Sequence, residues 1–126
     1  MGRKVAEATS VKVTVPVSTT IEQGKFYLLD GFLGMAVQSV TTDESTTSEV
    51  VLLIEQAEYE TSQITVADAF TKGDKVYWND TTKLLTNQPN LDANGNPQNQ
   101  PIGKVTVTKD ADNVIWFILG PQIQAH

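Results

Sequence analysis

The residues that could do acid–base chemistry in this chain are carboxylates in three groups: Asp43 with Glu44; Glu55 with Glu58 and Glu60; Asp110 with Asp112. A glycosidase needs two carboxylates held about 5 to 10 Å apart across a cleft, one with its pKa raised by burial. All three groups fall in polar loops or in polar alternations, where acids are normally solvated. We therefore interpret them as surface residues rather than as a catalytic pair.

Cysteine and histidine, on which catalytic triads and soft metal sites rely, are nearly absent. The chain has no cysteine, and its one histidine, His126, is the last residue. A chain terminus does not hold an imidazole in catalytic geometry, which argues against Ser-His-Asp, Cys-His and His-rich zinc sites. The sequence therefore predicts no enzyme, no metal site and no cofactor.

One segment begins like a calcium-binding loop, with oxygen ligands at alternate positions from Asp92 to Asn96. An EF-hand needs glycine at its sixth position and an acid at its twelfth, whereas Pro97 and Gly103 stand there. We interpret Asn94-Gly95 as a turn instead.

The charge balance argues against a nucleic-acid partner. The 126 residues include nine Lys and Arg against fifteen Asp and Glu, for a net charge of −6. Nucleic-acid binding takes most of its affinity from basic side chains on phosphates. No apolar run approaches the roughly 20 residues that cross a bilayer, and no apolar signal core follows Met1. We expect no membrane partner and synthesis in the cytoplasm.

An edge strand is predicted near the N-terminus, where apolar residues alternate at Val11, Val13, Val15 and Val17. Pro16 has no N–H to donate, so this strand should lie at a sheet edge or end near Pro16. Residues 1–10 carry Arg3 and Lys4 without strong periodicity and are interpreted as an N-terminal arm. The chain length fits one further unit, a single β domain over residues 11–126.

The remaining segments alternate between short strands and turn signals. The nearly continuous apolar run over residues 49–56 predicts a central buried strand, and hairpins are predicted at Asp30-Gly31, across Asn79-Asp80 and across residues 109–113. Residues 65–73 carry the one helical signal, with a possible cap at Thr65 and a stop at Gly73.

About seven to nine short strands spaced by turns indicate an all-β fold. The expected architecture is a small antiparallel β-barrel or sandwich with one short connector helix, an extended N-terminal arm and a long polar loop over residues 86–101. Most of the nine aromatic residues lie in apolar runs and should be core, with Tyr27, Tyr59 and Tyr77 the best candidates for a wet edge.

The ordered segments resemble the bacteriophage capsid decoration, or capsid cement, proteins. The most distinctive part is the Gly-Asp-x-Val-Tyr-Trp strand from Gly73 to Trp78, and the similarity covers about residues 14–120. The other matching segments are Gly24-Lys-Phe-Tyr-Leu-Leu, Gly34-Met-Ala-Val, Val50-Val-Leu-Leu-Ile, Val66-Ala-Asp-Ala-Phe, Ile102-Gly103 and Ile115-Trp-Phe-Ile-Leu. Asn79, where the family often has Asp, and the length of loop 86–101 depart from the pattern.

The resemblance implies a structural virion protein that binds the outer surface of an assembled phage head and stiffens it. Its implied partner is the major capsid protein, and its implied state is a homotrimer at local three-fold positions. Under this interpretation we hypothesise that the arm and the edge strand engage the capsid or a neighbour, by strand addition at the edge. The candidate partner-binding residues are Arg3, Lys4, Val11, Val13, Val15 and Val17.

Two other functions remain open from the sequence. A phage tail or head-tail connector subunit is also a small β protein, and it should form rings by itself. A small carbohydrate-binding β module would instead present exposed aromatic residues, so silence on a glycan array together with full burial of Trp78 and Trp116 would remove it.

Overall fold

β-strands joined by turns make up the part of the chain that the computed structural model describes, which is Gly2 and residues 9–122. This part contains eleven strands and no α-helix, in agreement with the predicted all-β class. The strands are β1 (Ser10–Val15), β2 (Thr20–Ile21), β3 (Phe26–Leu29), β4 (Phe32–Ala36), β5 (Val40–Thr41), β6 (Ser48–Leu53), β7 (Glu58–Thr61), β8 (Lys75–Asn79), β9 (Leu84–Thr86), β10 (Gln100–Val107) and β11 (Ile115–Leu119).

The first sheet has four antiparallel strands in the order β1-β6-β4-β3. Strand β1 ends at Val15, directly before Pro16, and lies at the sheet edge, as the missing proline N–H predicts. The apolar run that predicted a buried central strand is β6, which lies between β1 and β4. Strands β2 and β5 form a separate two-stranded ladder.

The hairpin predicted at Asp30-Gly31 is confirmed. It joins β3 to β4 by a two-residue turn in which Asp30 has φ 51° and Gly31 has φ 81°. Two positive φ angles give the turn a twist that matches the twist of the flanking strands, and Asp-Gly tolerates them well. This turn reaches across to β1, because the Asp30 carboxylate accepts the backbone N–H of Thr14 at 2.8 Å.

The second sheet has five antiparallel strands in the order β7-β11-β10-β8-β9, with the predicted hairpins between β8 and β9 and between β10 and β11. The chain just after β7 returns to the outer side of β9. Leu85 donates its N–H to the Gln63 carbonyl at 3.0 Å, and its carbonyl accepts the N–H of Thr65 at 2.8 Å. These bonds curl the sheet toward a barrel.

The hydrophobic core has two parts, a larger one between the two main sheets and a smaller one under the four-stranded sheet. The larger part is organised around Phe26, Tyr59 and Phe117, with ring centroids of Phe26 and Phe117 5.3 Å apart. Phe26 belongs to the four-stranded sheet, so its side chain packs the two sheets together. The smaller part holds Val13 and Val15 of β1 against β6.

The predicted connector helix over residues 65–73 is wrong. The segment forms isolated turns, the first of which is closed by the Asp68 N–H donating to the Thr65 carbonyl at 3.0 Å. The carbonyls that a helix would use are taken by Lys109, whose Nζ donates to Val66 and Asp68 at 2.8 and 2.7 Å and whose N–H donates to Phe70. A run this short has little helical stability of its own, so tertiary hydrogen bonds decide its conformation.

The loop predicted over residues 86–101 is shorter, because Thr86 belongs to β9 and Gln100 opens β10. Asn99 within it is buried, and its Nδ2 donates to the Gln88 carbonyl at 2.9 Å. The turn predicted at Asn94-Gly95 is present, with Gly95 at φ 82°. Asp92 Oδ1 accepts the N–H groups of Asn94 and Asn96 at 2.9 and 3.0 Å.

Candidate partner-binding surfaces

The outer edge of β1 offers backbone hydrogen-bonding groups. The carbonyl of Thr9 accepts the N–H of Ile54 at 3.0 Å, which fixes the alternation along the antiparallel pair. Residues 9, 11, 13 and 15 therefore direct their backbone groups at β6, and residues 10, 12 and 14 direct theirs outward. Asp30 satisfies the outward N–H of Thr14. No strand of the described residues pairs with β1 on this outer side.

The valines that the sequence nominated for partner binding have different environments. Val13 and Val15 are 2% and 0% exposed and pack in the core, so their side chains are structural. Val11 is half-buried, and Val17, just beyond the strand, is 40% exposed. What this segment offers a partner is therefore mainly its backbone edge. Arg3 and Lys4 lie outside the described residues.

Elsewhere in the four-stranded sheet, a glutamine side chain takes the place of a missing strand. Strand β4 pairs with β6 from Met35 onward, which leaves Leu33 without a strand on that side. Gln122 fills the position: its Oε1 accepts the Leu33 N–H and its Nε2 donates to the Leu33 carbonyl, both at 2.9 Å. On the outer side of β1, no such side chain pairs with the backbone of Ser10 or Lys12 among the described residues. That side is therefore a candidate contact edge.

A second candidate surface is the outer side of the five-stranded sheet, here called the Trp116 face. Its centre consists of Val107, Trp116 and Ile118, which are 45%, 41% and 47% exposed. Val107 and Trp116 are directly opposite each other on β10 and β11, so their side chains share one face. The border is charged, with Glu58 and Glu60 on β7, Lys104 on β10 and Lys75 on β8.

A depression of about 660 Å³ lies on the Trp116 face, lined by Lys75, Pro101, Gly103, Lys104, Ile118 and Gly120. It sits where Gly103 crosses Ile118. A Cβ added at Gly103 would lie 2.0 Å from the carbonyl oxygen of Ile118, so only glycine fits. The depression brings Ile118 beside two lysines.

Sequence reasoning missed the Trp116 face. Trp116 stands in a continuous apolar run and was expected to be core, but in β11 the alternate residues Ile115, Phe117 and Leu119 are buried while Trp116 and Ile118 point outward. A continuous apolar strand is typical of a strand covered on both faces. That rule was the available signal that the outer face of β11 is also apolar.

Among the nine aromatic residues, Trp116 is the exposed one, and Trp78 is 1% exposed. The expected wet edges at Tyr59 and Tyr77 are wrong, since both side chains are buried; the Tyr59 hydroxyl donates to the Glu55 carbonyl at 3.0 Å. Burial, and the nearby Glu55 carboxylate, raise the pKa of Tyr59. Tyr27 is half-buried, and its hydroxyl accepts the N–H of Glu22.

The three carboxylate groups are exposed, as predicted. Several of these acids cap turns. Asp43 Oδ1 accepts the backbone N–H groups of Ser45 and Thr46, which lower the pKa of Asp43. Asp110 Oδ1 likewise accepts the N–H of Val114 at 3.0 Å. Within residues 9–122, no cluster of His, Cys, Asp and Glu is arranged to hold a metal ion, and no helix is long and apolar enough to cross a membrane.

Comparison with known proteins gives one family. A family model described as phage cement protein matches residues 5–120, which include all eleven strands. No curated protein and no solved structure matches the chain. The matched segment spans both main sheets, the β1 edge and the Trp116 face. Because the match covers far more than half of the sequence, the chain belongs to the phage cement protein family.

Proposed function

We propose that this protein is a non-enzymatic structural component of the virion that binds the outer surface of the assembled phage head and stabilises it. The observation that carries the proposal is the match of the phage cement family model to residues 5–120. The net charge of −6 favours the outside of the head, because an acidic surface would be repelled by the DNA phosphates that line the interior. The chain is made in the host cytoplasm and joins the head there.

The proposed partner is the major capsid protein, and the proposed contact is the edge of β1 together with the arm that carries Arg3 and Lys4. Backbone groups of Ser10 and Lys12 face away from β6 and are positioned to pair with an extended capsid segment. Strand addition of this kind takes its affinity from main-chain hydrogen bonds. Val11 and Val17 at the two ends of the segment retain exposed apolar surface for the same partner.

The oligomeric state proposed for the head-bound protein is a homotrimer, and it rests on the family resemblance alone. Three copies around a local three-fold axis would each touch more than one capsid subunit. Adding interface across subunit boundaries is what stiffens a shell, because separating the subunits then also breaks the added contacts. Light scattering of the purified protein tests whether the trimer exists before binding or forms on the head.

The direct experiment mixes purified protein with heads that lack it and measures co-sedimentation, then measures DNA release on heating. We expect saturable binding and DNA release at a higher temperature in decorated heads. A matched sample with Lys12→Pro protein tests whether the β1 edge makes the contact, independently of whether the protein binds and stabilises the head. Saturable binding that leaves DNA release unchanged would contradict stabilisation, and absence of binding would contradict the proposal as a whole.

The alternatives from the sequence gain no comparable support. A tail or head-tail connector subunit is not what the matching family model describes. Trp78 is buried but Trp116 is exposed, so burial does not remove the carbohydrate-binding module. Such a module would need a platform of exposed rings, whereas Trp116 is the one exposed aromatic residue and is flanked on its face by Val107 and Glu60.

A further inference from the structure

We infer that the Trp116 face is a self-association surface, on which a second copy of this chain packs sheet against sheet. The first support is apolar exposure. Val107, Trp116 and Ile118 are each more than two-fifths exposed and lie together on neighbouring strands. A contiguous apolar patch with a charged border is typical of a protein–protein contact.

The second support is the division of charge across this face. Along one row of the sheet, Glu58 is opposite Ile118, Ile118 is opposite Lys104, and Lys104 is opposite Lys75. The face is therefore acidic on its β7 side, apolar in the middle and basic on its β10 and β8 side. Such a face is complementary to itself when one copy is turned so that its acidic side meets the other's basic side.

The strand order specifies how the two copies fit. A two-fold axis parallel to the strands and running between β11 and β10 places β11 over β10 of the second copy, and β7 over β8. Rows are preserved by this rotation, so Trp116 meets Val107, Ile118 meets the stem of Lys104, and Glu58 meets Lys75. Two sheets packed in this way lie about 10 Å apart with strands within about 30° of parallel.

The two lysines supply a further reason for a partner. Lys75 and Lys104 are directly opposite each other on adjacent strands, where like charges repel. Neither lysine forms an ion pair with any other described residue. The carboxylate of Glu58 from a second copy would lie between them and offset that repulsion. Among the described residues, Glu58 Oε2 accepts only the hydroxyl of Thr106, at 2.5 Å.

The size of the face predicts a weak contact. Four strands at about 4.8 Å spacing and some five residues at about 3.3 Å each give a patch of roughly 15 by 17 Å. A patch of about 250 Å² per copy is well below the roughly 800 Å² per partner of a standard interface. The contact would act mainly between copies held close together on a head, where the effective concentration is high.

The test is sedimentation equilibrium of the purified protein at concentrations up to about 1 mM, which detects binding as weak as about −4 kcal/mol. We expect the average mass of the wild-type protein to rise with concentration toward at least twice that of the Ile118→Glu protein, whose mass should not rise. If a three-fold contact also forms, each trimer carries three such faces, so the wild-type mass should then rise to at least twice that of a trimer. Equal masses for the two proteins would contradict the inference.

A charge exchange identifies the two-fold arrangement itself. Glu58→Lys alone and Lys75→Glu alone each place like charges across the contact, so each should abolish the rise of average mass with concentration. The double variant Glu58→Lys with Lys75→Glu restores opposite charges and should restore that rise. Circular dichroism establishes that the variants remain folded. Failure of the double variant to recover would overturn the proposed packing.

The same measurements distinguish self-association from the binding of a different partner to this face. If the wild-type protein stays undoubled at every concentration while Ile118→Glu abolishes head binding, the face belongs to the capsid protein and self-association is wrong. If Ile118→Glu changes neither mass nor head binding, the face carries no contact. In both cases binding of the wild-type protein to heads is measured separately. Failure of the self-association inference therefore does not decide whether the proposed function is correct.

Discussion

The side-chain amide of Gln63 forms the same pair of hydrogen bonds with the backbone of Phe26 that a neighbouring β-strand would form. Its Oε1 accepts the Phe26 N–H at 2.7 Å, and its Nε2 donates to the Phe26 carbonyl at 2.8 Å. The same Nε2 donates to the carbonyl of Lys83 at 3.0 Å. One glutamine therefore ties the edge of β3 in the four-stranded sheet to the turn between β8 and β9 in the five-stranded sheet.

This arrangement predicts that Gln63→Ala destabilises the protein by about 2 to 4 kcal/mol, because it removes the partners of two polar groups on a buried residue. Urea unfolding measures the change. Gln38→Ala is the matched control, since Gln38 is an exposed glutamine and its loss should cost no more than about 0.5 kcal/mol. Similar unfolding midpoints for the two variants would show that the amide pairing contributes nothing.

The crossing of β10 and β11 predicts that Gly103→Ala is strongly destabilising. The new Cβ would fall 2.0 Å from the Ile118 carbonyl oxygen, which is backbone and cannot move without separating the two strands. We expect a loss of at least about 3 kcal/mol, the upper range for overpacking. The measurement is again urea unfolding.

Gly95→Ala is the comparison for this variant. Gly95 has φ 82° but open space around it, so alanine there carries only backbone strain of about 1 to 2 kcal/mol. A Gly103→Ala protein as stable as the Gly95→Ala protein would contradict the close approach.

The outward orientation of residue 12 predicts that Lys12→Pro weakens binding to undecorated heads while leaving the fold intact. Proline removes the N–H of residue 12, which faces away from β6, so no ladder bond within the sheet is lost. We expect at least a tenfold loss of affinity, or about 1.4 kcal/mol, from one missing main-chain hydrogen bond and a blocked edge. Co-sedimentation gives the affinity.

Lys12→Ala separates the backbone effect from the loss of the lysine charge. It should bind nearly as well as the wild type, since the edge N–H is kept. If both variants lose the same affinity, the lysine side chain rather than the strand edge makes the contact.

The hydrogen bonds of Asp80 predict that the protein loses folding stability in acid. Although its partial burial opposes ionisation, hydrogen bonds from Lys83 Nζ at 2.9 Å and Trp78 Nε1 at 3.1 Å lower the pKa of Asp80 below its ordinary 3.8. A carboxylate with a lowered pKa stabilises the fold fully above its unfolded pKa, and the contribution is lost as the pH falls through the folded value. The loss should therefore begin near pH 3.8 and finish below it.

Trp78 fluorescence reports this titration once Trp116→Phe leaves Trp78 as the one tryptophan. We expect a change in emission with a midpoint below pH 3.8, and its disappearance when Asp80→Asn is added. A midpoint at or above that value would mean that the two hydrogen bonds do not favour the ionised carboxylate.

Local signals in the sequence predicted much of the fold. Asp30-Gly31 predicted a hairpin because few residue pairs accept two positive φ angles, and Pro16 predicted the limit and edge position of β1 because it lacks an N–H. The amide pairings of Gln63 and Gln122 could not be predicted, since each joins residues far apart in sequence through a side chain. The segment around Asp68 was misread for the same reason: its conformation depends on Lys109.

The candidate surfaces were predicted only in part. The β1 edge followed from alternation and from Pro16, but alternation cannot say that Val13 and Val15 belong to the core while the backbone edge stays open. Trp116 was taken as core because apolar residues usually are, and its exposure depends on which side of β11 the barrel closes.

The most direct measurement is a cryo-electron microscopy reconstruction of the parent virion. The account predicts density for this β domain on the outer surface of the head, with the β1 edge against the major capsid protein. Density inside the shell, or in the tail or connector, or none on the head, would contradict it.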